Sequence, residues 1–151
     1  MIRRKLTRKE AKEKEYLIWN AFVDLVTMEK ECNLSEIQMH GKRAFDYDSE
    51  IQNGGHLQYF ENYKHKDHNQ VIESLLELNE IKQANLLEQA LAIYNKKERP
   101  IIKDSIEYSK IALEGEFDEL DLQYYKENPP LTEFMEEYIH IHSNQFVEFI
   151  D

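Results

Sequence analysis

The sequence predicts an all-α protein, a compact single-domain bundle of about six or seven helices. Three observations predict it. Apolar residues recur at steps of three and four through most of the chain, which is the spacing of a helix face. No segment shows convincing strand alternation. Three prolines and four glycines in 151 residues leave long stretches without a breaker. With 41% hydrophobic and 11% aromatic residues, the chain can bury a core without disulfides or metals to staple it.

Residues 1 to 15 form a basic leader, with seven Lys/Arg against three Asp/Glu, and read as a solvated helix extension or a frayed end. The helical domain is expected over residues 16 to 151. Leu17, Ile18, Phe22, Leu25 and Val26 make the first apolar face, widened by Trp19 and Val23. Asn33 or Ser35 can cap the next helix, which runs through Ile37, Ala44 and Tyr47 toward Ile51, with Gly41 as an interruption of modest cost.

Asn53-Gly54-Gly55 then joins the residue types that enter left-handed backbone most cheaply, so the chain should turn sharply there into a short element carrying Leu57, Phe60 and Tyr63. KHKDHN, residues 64 to 69, reads as a loop. Val71 to Leu78 and Ala84 to Tyr94 predict an αα-hairpin. Pro100 suits a helix first turn, followed by Ile101, Ile102, Ile106, Ile111 and Leu113 up to Gly115. Phe117, Leu120 and Tyr124 mark another helix, closed by Asn128-Pro129-Pro130. The spacing predicts a last helix from Leu131 to Phe149.

Charge narrows the function classes. The chain holds 19 Lys/Arg and 30 Asp/Glu, so outside the leader 12 bases face 27 acids. Such a body repels nucleic acid and anionic lipid and attracts cationic surfaces. The C-terminal 51 residues are the most acidic part, with 13 Asp/Glu against three Lys. One cysteine, Cys32, excludes an internal disulfide and a multi-cysteine metal site, and fits a cytoplasmic protein. No apolar stretch is long enough for a signal peptide or a membrane span.

Candidate chemistry is thin. His65, Asp67 and His68 lack a metal-binding frame, so a polar loop is the better reading. His140 and His142 point to different sides of a helix. EGEFDELD, with Glu114, Glu116, Asp118, Glu119 and Asp121, lacks the ligand pattern of a calcium loop, while Asp118 or Asp121 suits a helix N-terminus. Gly54-Gly55 favours a backbone corner over an anion nest, and Tyr59, Phe60 and Tyr63 favour core over a pocket. No catalytic residues, metal or cofactor are predicted.

Glu50, Asn53, Gly54, Gly55, Gln58, Tyr59, Phe60 and Asn62 match the pattern E-x-x-N-G-G-x-x-Q-Y-F-x-N, and Phe117, Leu120, Asp121, Tyr124 and Tyr125 match F-x-x-L-D-x-x-Y-Y. These segments resemble the signature of the bacterial DNA-mimic protein family over roughly residues 35 to 126. The resemblance implies an all-helical domain whose acidic surface occupies the DNA-binding face of a transcriptional regulator, without catalysis or cofactor. The signature residues themselves read as structural.

Mimicry has a physical requirement. Duplex DNA carries a charge per about 1.7 Å of axis, whereas carboxylates four apart on a helix recur every ~6 Å, so several helices must pool their acids. Glu107 and Glu114 are two turns apart on one face, and Glu133, Glu136 and Glu137 form an i, i+3, i+4 trio. With Glu116, Asp118 and Glu119 they are the expected partner-binding acids. The expected partner is a basic DNA-binding protein of helix-turn-helix type, with no direct nucleic-acid or membrane contact, and a homodimer is compatible with the sequence. Two alternatives remain open at this stage: an immunity-type inhibitor of a cationic toxin, and a small-ligand or metal-binding enzyme built at the glycine corner and its histidines.

Overall fold

A computed structural model describes residues 1–150. Among them nine helices and two short strands follow the order β1 (Arg4–Leu6), α1 (Arg8–Glu13), α2 (Tyr16–Met28), α3 (Glu36–Tyr63), α4 (His68–Glu77), α5 (Ile81–Tyr94), α6 (Ser105–Ala112), α7 (Asp118–Lys126), α8 (Leu131–Ile141), α9 (Ser143–Phe146) and β2 (Val147–Phe149), with one 3₁₀ turn at Glu31–Asn33. Seven of the helices exceed six residues, and the all-α class predicted from periodicity holds.

α3 is the axis of the molecule. Ser35 starts it with a capping box: its hydroxyl accepts from the Gln38 N–H, while Gln38 Oε1 accepts from the Ser35 N–H at 2.8 Å. The other end of that buried Gln38 amide donates to the carbonyls of Ile2 at 2.7 Å and Gln145 at 2.6 Å, so one side chain ties both chain ends to the start of α3. There β1 and β2 pair in parallel, Arg4 opposite Val147 through Leu6 opposite Phe149.

These strands correct two expectations. The leader is not a frayed end: residues 4–6 enter a sheet, Thr7 and Glu10 form a capping box for α1, and Leu6 packs on the core. The last helix does not reach Phe149 but breaks at His142, and the chain passes through α9 into β2. Apolar side chains at Tyr138, Ile141 and Phe149 satisfy helical spacing, yet Ile141 is exposed and Phe149 is a strand residue. A third correction concerns residues 100–104, which lie ahead of α6 in non-helical backbone; Asp104 caps the helix, so Pro100 lies outside its first turn.

The core gathers Phe22, Leu25 and Val26 of α2, Ala44, Tyr47 and Ile51 of α3, Leu75, Leu87, Leu131, Met135 and Phe146. Phe22 is its centre, meeting Phe45 and Phe146 edge-on with ring centroids 5.7 and 5.4 Å away. Gly41 has a packing reason that its sequence position did not disclose: a Cβ there would stand 2.9 Å from the Phe22 ring. The α4–α5 hairpin covers one side of α3, with Phe60 stacked on Tyr94 at 4.4 Å. Three tyrosine hydroxyls record the return path. Tyr124 bonds to Asp48, Tyr125 donates to the Ile51 carbonyl at 2.6 Å, and Tyr138 donates to the Ile37 carbonyl at 3.4 Å. Between α7 and α8 the chain therefore retraces α3 from its middle back to its beginning.

Candidate functional site

The NGG corner turns as its residues predict. Gly54 is extended, Gly55 has φ +74°, and the two helical limbs of α3 meet across them. Asn53 ends the first limb in solvent. What holds the corner is a set of hydrogen bonds between residues distant in sequence. Asp121 Oδ1 accepts the His56 backbone N–H at 3.0 Å and lies 2.6 Å from His56 Nδ1. The unpaired N-terminal amide of the second limb thus takes an anion, and the anion is the chain's own carboxylate.

With Nδ1 donating to Asp121, His56 Nε2 accepts from the Tyr47 hydroxyl at 2.9 Å. Burial, reinforced by Tyr59, Asp121, Asp48 and Glu80, pushes the Tyr47 phenol well above its ordinary range and keeps it a donor. A second clamp closes over the corner from outside: Glu50 Oε2 accepts from Gln58 Nε2 at 2.9 Å and from Asn62 Nδ2 at 2.8 Å. Tyr59 and Phe60 are buried, and the Tyr59 hydroxyl meets His68 Nδ1 at 2.9 Å. Burial lowers the His68 pKa and favours its neutral ring. The signature residues are thus brought together as a brace for the kink.

His56, Tyr47 and Asp121 resemble an acid–base relay, but the His56 ring is fully buried. The shallow cavity beside the corner, about 70 Å³, is lined by Gly54, Leu57, Tyr108, Phe117, Asp118 and Asp121 and does not reach His56. A second cavity of about 110 Å³ between α3 and α4 carries three cations, each already engaged: Lys42 with Asp46 at 2.9 Å, Arg43 with Glu36 at 3.2 Å, and Lys66 with Glu31 at 2.8 Å. Among the described residues no group of three His, Cys, Asp or Glu side chains could hold a metal, and no helix is long and apolar enough to cross a membrane.

The eight acids expected to face a partner divide into three kinds. Glu116 is engaged by Arg99 through both guanidinium Nη atoms, one at 2.9 Å, and by Lys97 at 3.7 Å; Glu114 lies 3.9 Å from Lys97. The Arg99 bond is the main reason the Glu116 carboxyl sits below its ordinary pKa. Glu107 is spent locally, accepting from the Lys103 N–H at 2.8 Å. Asp118, Glu119, Glu133, Glu136 and Glu137 are exposed and make no ion pair among the described residues. Asp118, Glu119 and Asp121 also stand in the first turn of α7, where a helix dipole favours them.

Tyrosines report further acids that no local run had marked. Burial raises the Tyr138 phenol to about 12, helped by Glu77 of α4 and Glu36 of α3, so carboxylates from two other helices lie near α8. Tyr108 is raised by burial and then by Glu61, Asp121 and Glu50. The only sequence signal for Glu61 and Glu77 was their place on polar helix faces. The basic leader does not cover these acids: among the described residues its ion pairs go to Asp24 and Glu29 of α2 and to its own Glu13.

A family model described as DMP19-like protein matches residues 32–144, a span holding the whole clamp and both acidic groups. Searches of curated proteins and of solved structures gave no match. With three quarters of its length under that model, the chain belongs to the DMP19-like protein family.

Proposed function

We propose that this protein is a non-catalytic DNA mimic whose acidic surface occupies the DNA-binding face of a basic helix-turn-helix regulator. The observation that carries this function is the set of exposed carboxylates on α7 and α8 that make no ion pair among the described residues, displayed from two stations on α3. Those stations are Asp48 to Ile51, where α7 attaches, and Ile37, where α8 attaches. They stand about 16 to 21 Å apart at 1.5 Å per residue, so two acidic groups face solvent at a separation no single helical turn could give. Glu77 adds charge beside α8, where Glu36 is already paired with Arg43, and Glu50 and Glu61 add it beside the corner.

The clamp then has a mechanical role. α7 is held to α3 by Asp121 on His56, Tyr124 on Asp48 and Tyr125 on Ile51, which fixes the α7 acids relative to those of α8. Preorganised charge matters for a mimic, because a rigid partner surface reads positions as well as net charge. Membership in the DMP19-like family supports the same function.

The test is competition. Helix-turn-helix regulators from the host are immobilised one by one with their own operator DNA bound, and the protein is titrated at several salt concentrations. Displacement of DNA from one regulator, weakening steeply with salt, is the expected result. A ternary complex of protein, regulator and DNA, or binding indifferent to salt, overturns the proposal.

A further inference from the structure

The α6 helix carries an unpartnered aliphatic row. None of its residues is buried; Tyr108 and Ile111, both half-buried, attach it to the core. Ile106 is 66% exposed and Leu113 86%, with Ile101 just ahead of the helix at 76%. Ile106 and Leu113 are seven residues apart, hence nearly in line along the helix and about 10 Å from each other. Leu113 caps the C-terminal end of the helix, Glu107 stands about 100° around the axis from Ile106, and Glu114 lies in the turn just past the cap.

We propose that this row is the apolar anchor for the cationic partner: a basic, amphipathic helix lays its own aliphatic stripe on Ile106 and Leu113 while its cations meet the flanking carboxylates. The assignment rests on the acidic-face function proposed above. Charge selects this occupant over a second copy of the chain. Between residues 101 and 119 six carboxylates face Lys103 and Lys110 within the segment and Lys97 and Arg99 from just before it; Arg99 and Lys97 engage Glu116, and Lys97 also lies 3.9 Å from Glu114, so a net negative charge remains. A two-fold contact through α6 would set one net-acidic segment near another, whereas a cationic helix gains there. The row also supplies what carboxylates lack, since burial of aliphatic surface survives salt that screens exposed charge.

The test uses two synthetic helical peptides of identical Lys/Arg content, one with a leucine stripe and one with alanine in its place, titrated against the full chain and against an Ile106→Ser, Leu113→Ser double variant. Both positions are exposed, so an unchanged thermal midpoint serves as the folding control. The leucine peptide should bind the native chain about tenfold more tightly than the alanine peptide, with the gap persisting at high salt. The double variant should lose that gap and keep its affinity for the alanine peptide. Equal binding of both peptides, or a gap that survives in the variant, overturns the anchor while leaving the acidic-face function standing. Failure of both peptides to bind at low salt overturns both. A native dimer that the double variant abolishes assigns the row to a second copy and overturns the proposal.

Discussion

Asp121 Oδ1 holds His56 twice, at its backbone N–H and at its ring Nδ1, across a separation of 65 residues. One carboxylate thus pins the first residue after the kink to the first turn of α7. Replacing Asp121 by Ala leaves a buried ring N–H and a helix-terminal amide without an acceptor, and should cost about 1 to 3 kcal/mol of stability in urea unfolding. Asp121→Asn keeps an acceptor oxygen and should cost less. Equal stability of the Ala variant and the native chain would mean that water replaces the carboxylate and the brace is dispensable.

The two glycines should respond unequally. Gly55 has a positive φ, and a Cβ there would lie 2.3 Å from Asp121 Oδ2, so Gly55→Ala meets backbone strain and displaces the clamp; a loss of more than about 1 kcal/mol is expected. Gly54 has no positive φ, and its added Cβ meets the Gln58 side chain, whose amide end can swing away at the expense of its bond to Glu50 while the Gln58 Cβ, 2.9 Å off, must shift slightly. Gly54→Ala should therefore be the milder change in a thermal melt. The reverse order would place the strain at the wrong residue.

The corner was legible because its signals are local: Asn-Gly-Gly has few other uses between helical segments. Its brace was not, since His56 and Asp121 meet only once the fold has formed. The β1–β2 pairing was hidden for the same reason: three residues are too few to alternate, and the partners lie at opposite ends of the chain. The aliphatic residues at 101, 106 and 113 show the opposite failure. Helical spacing marks which residues share a face but not whether anything covers it, so an exposed row reads as core. Glu116 likewise looked like one more surface acid, because its partner Arg99 lies across a turn in the chain.

Two buried or half-buried carboxylates should give opposite pH responses. Glu116 has a folded pKa below its ordinary 4.5, chiefly from the Arg99 hydrogen bond, so the stability it contributes is present above 4.5 and is lost as pH falls through the depressed value. Glu80 is raised by burial, the largest cause, so the protonated form is favoured in the fold and stability is lost as pH rises from 4.5 through the raised value. Glu116→Gln should accordingly be less stable than the native chain near neutrality, with the difference shrinking in acid. Glu80→Gln should gain on the native chain as pH rises. Denaturation midpoints from pH 3 to 7 test both signs, and parallel curves for all three proteins would remove the assigned causes.

The α8 trio separates function from folding. Glu133 lies three and four residues from Glu136 and Glu137, and each such like-charge pair costs a helix about 0.2 to 0.5 kcal/mol. Replacing all three by Gln should leave stability about unchanged, because the side chains are exposed and unpaired among the described residues and the relief of like charges offsets the loss of Glu133 from the first turn of α8. The same triple variant should bind a displaced regulator more weakly at low salt, with a shallower salt dependence, while Lys12→Gln on the leader has no comparable effect. A triple variant that is both less stable and equal in binding would mean these acids serve the helix and not the partner. Unchanged binding in a stable variant would move the interface to the α6–α7 group, where Asp118→Asn and Glu119→Gln provide the parallel measurement.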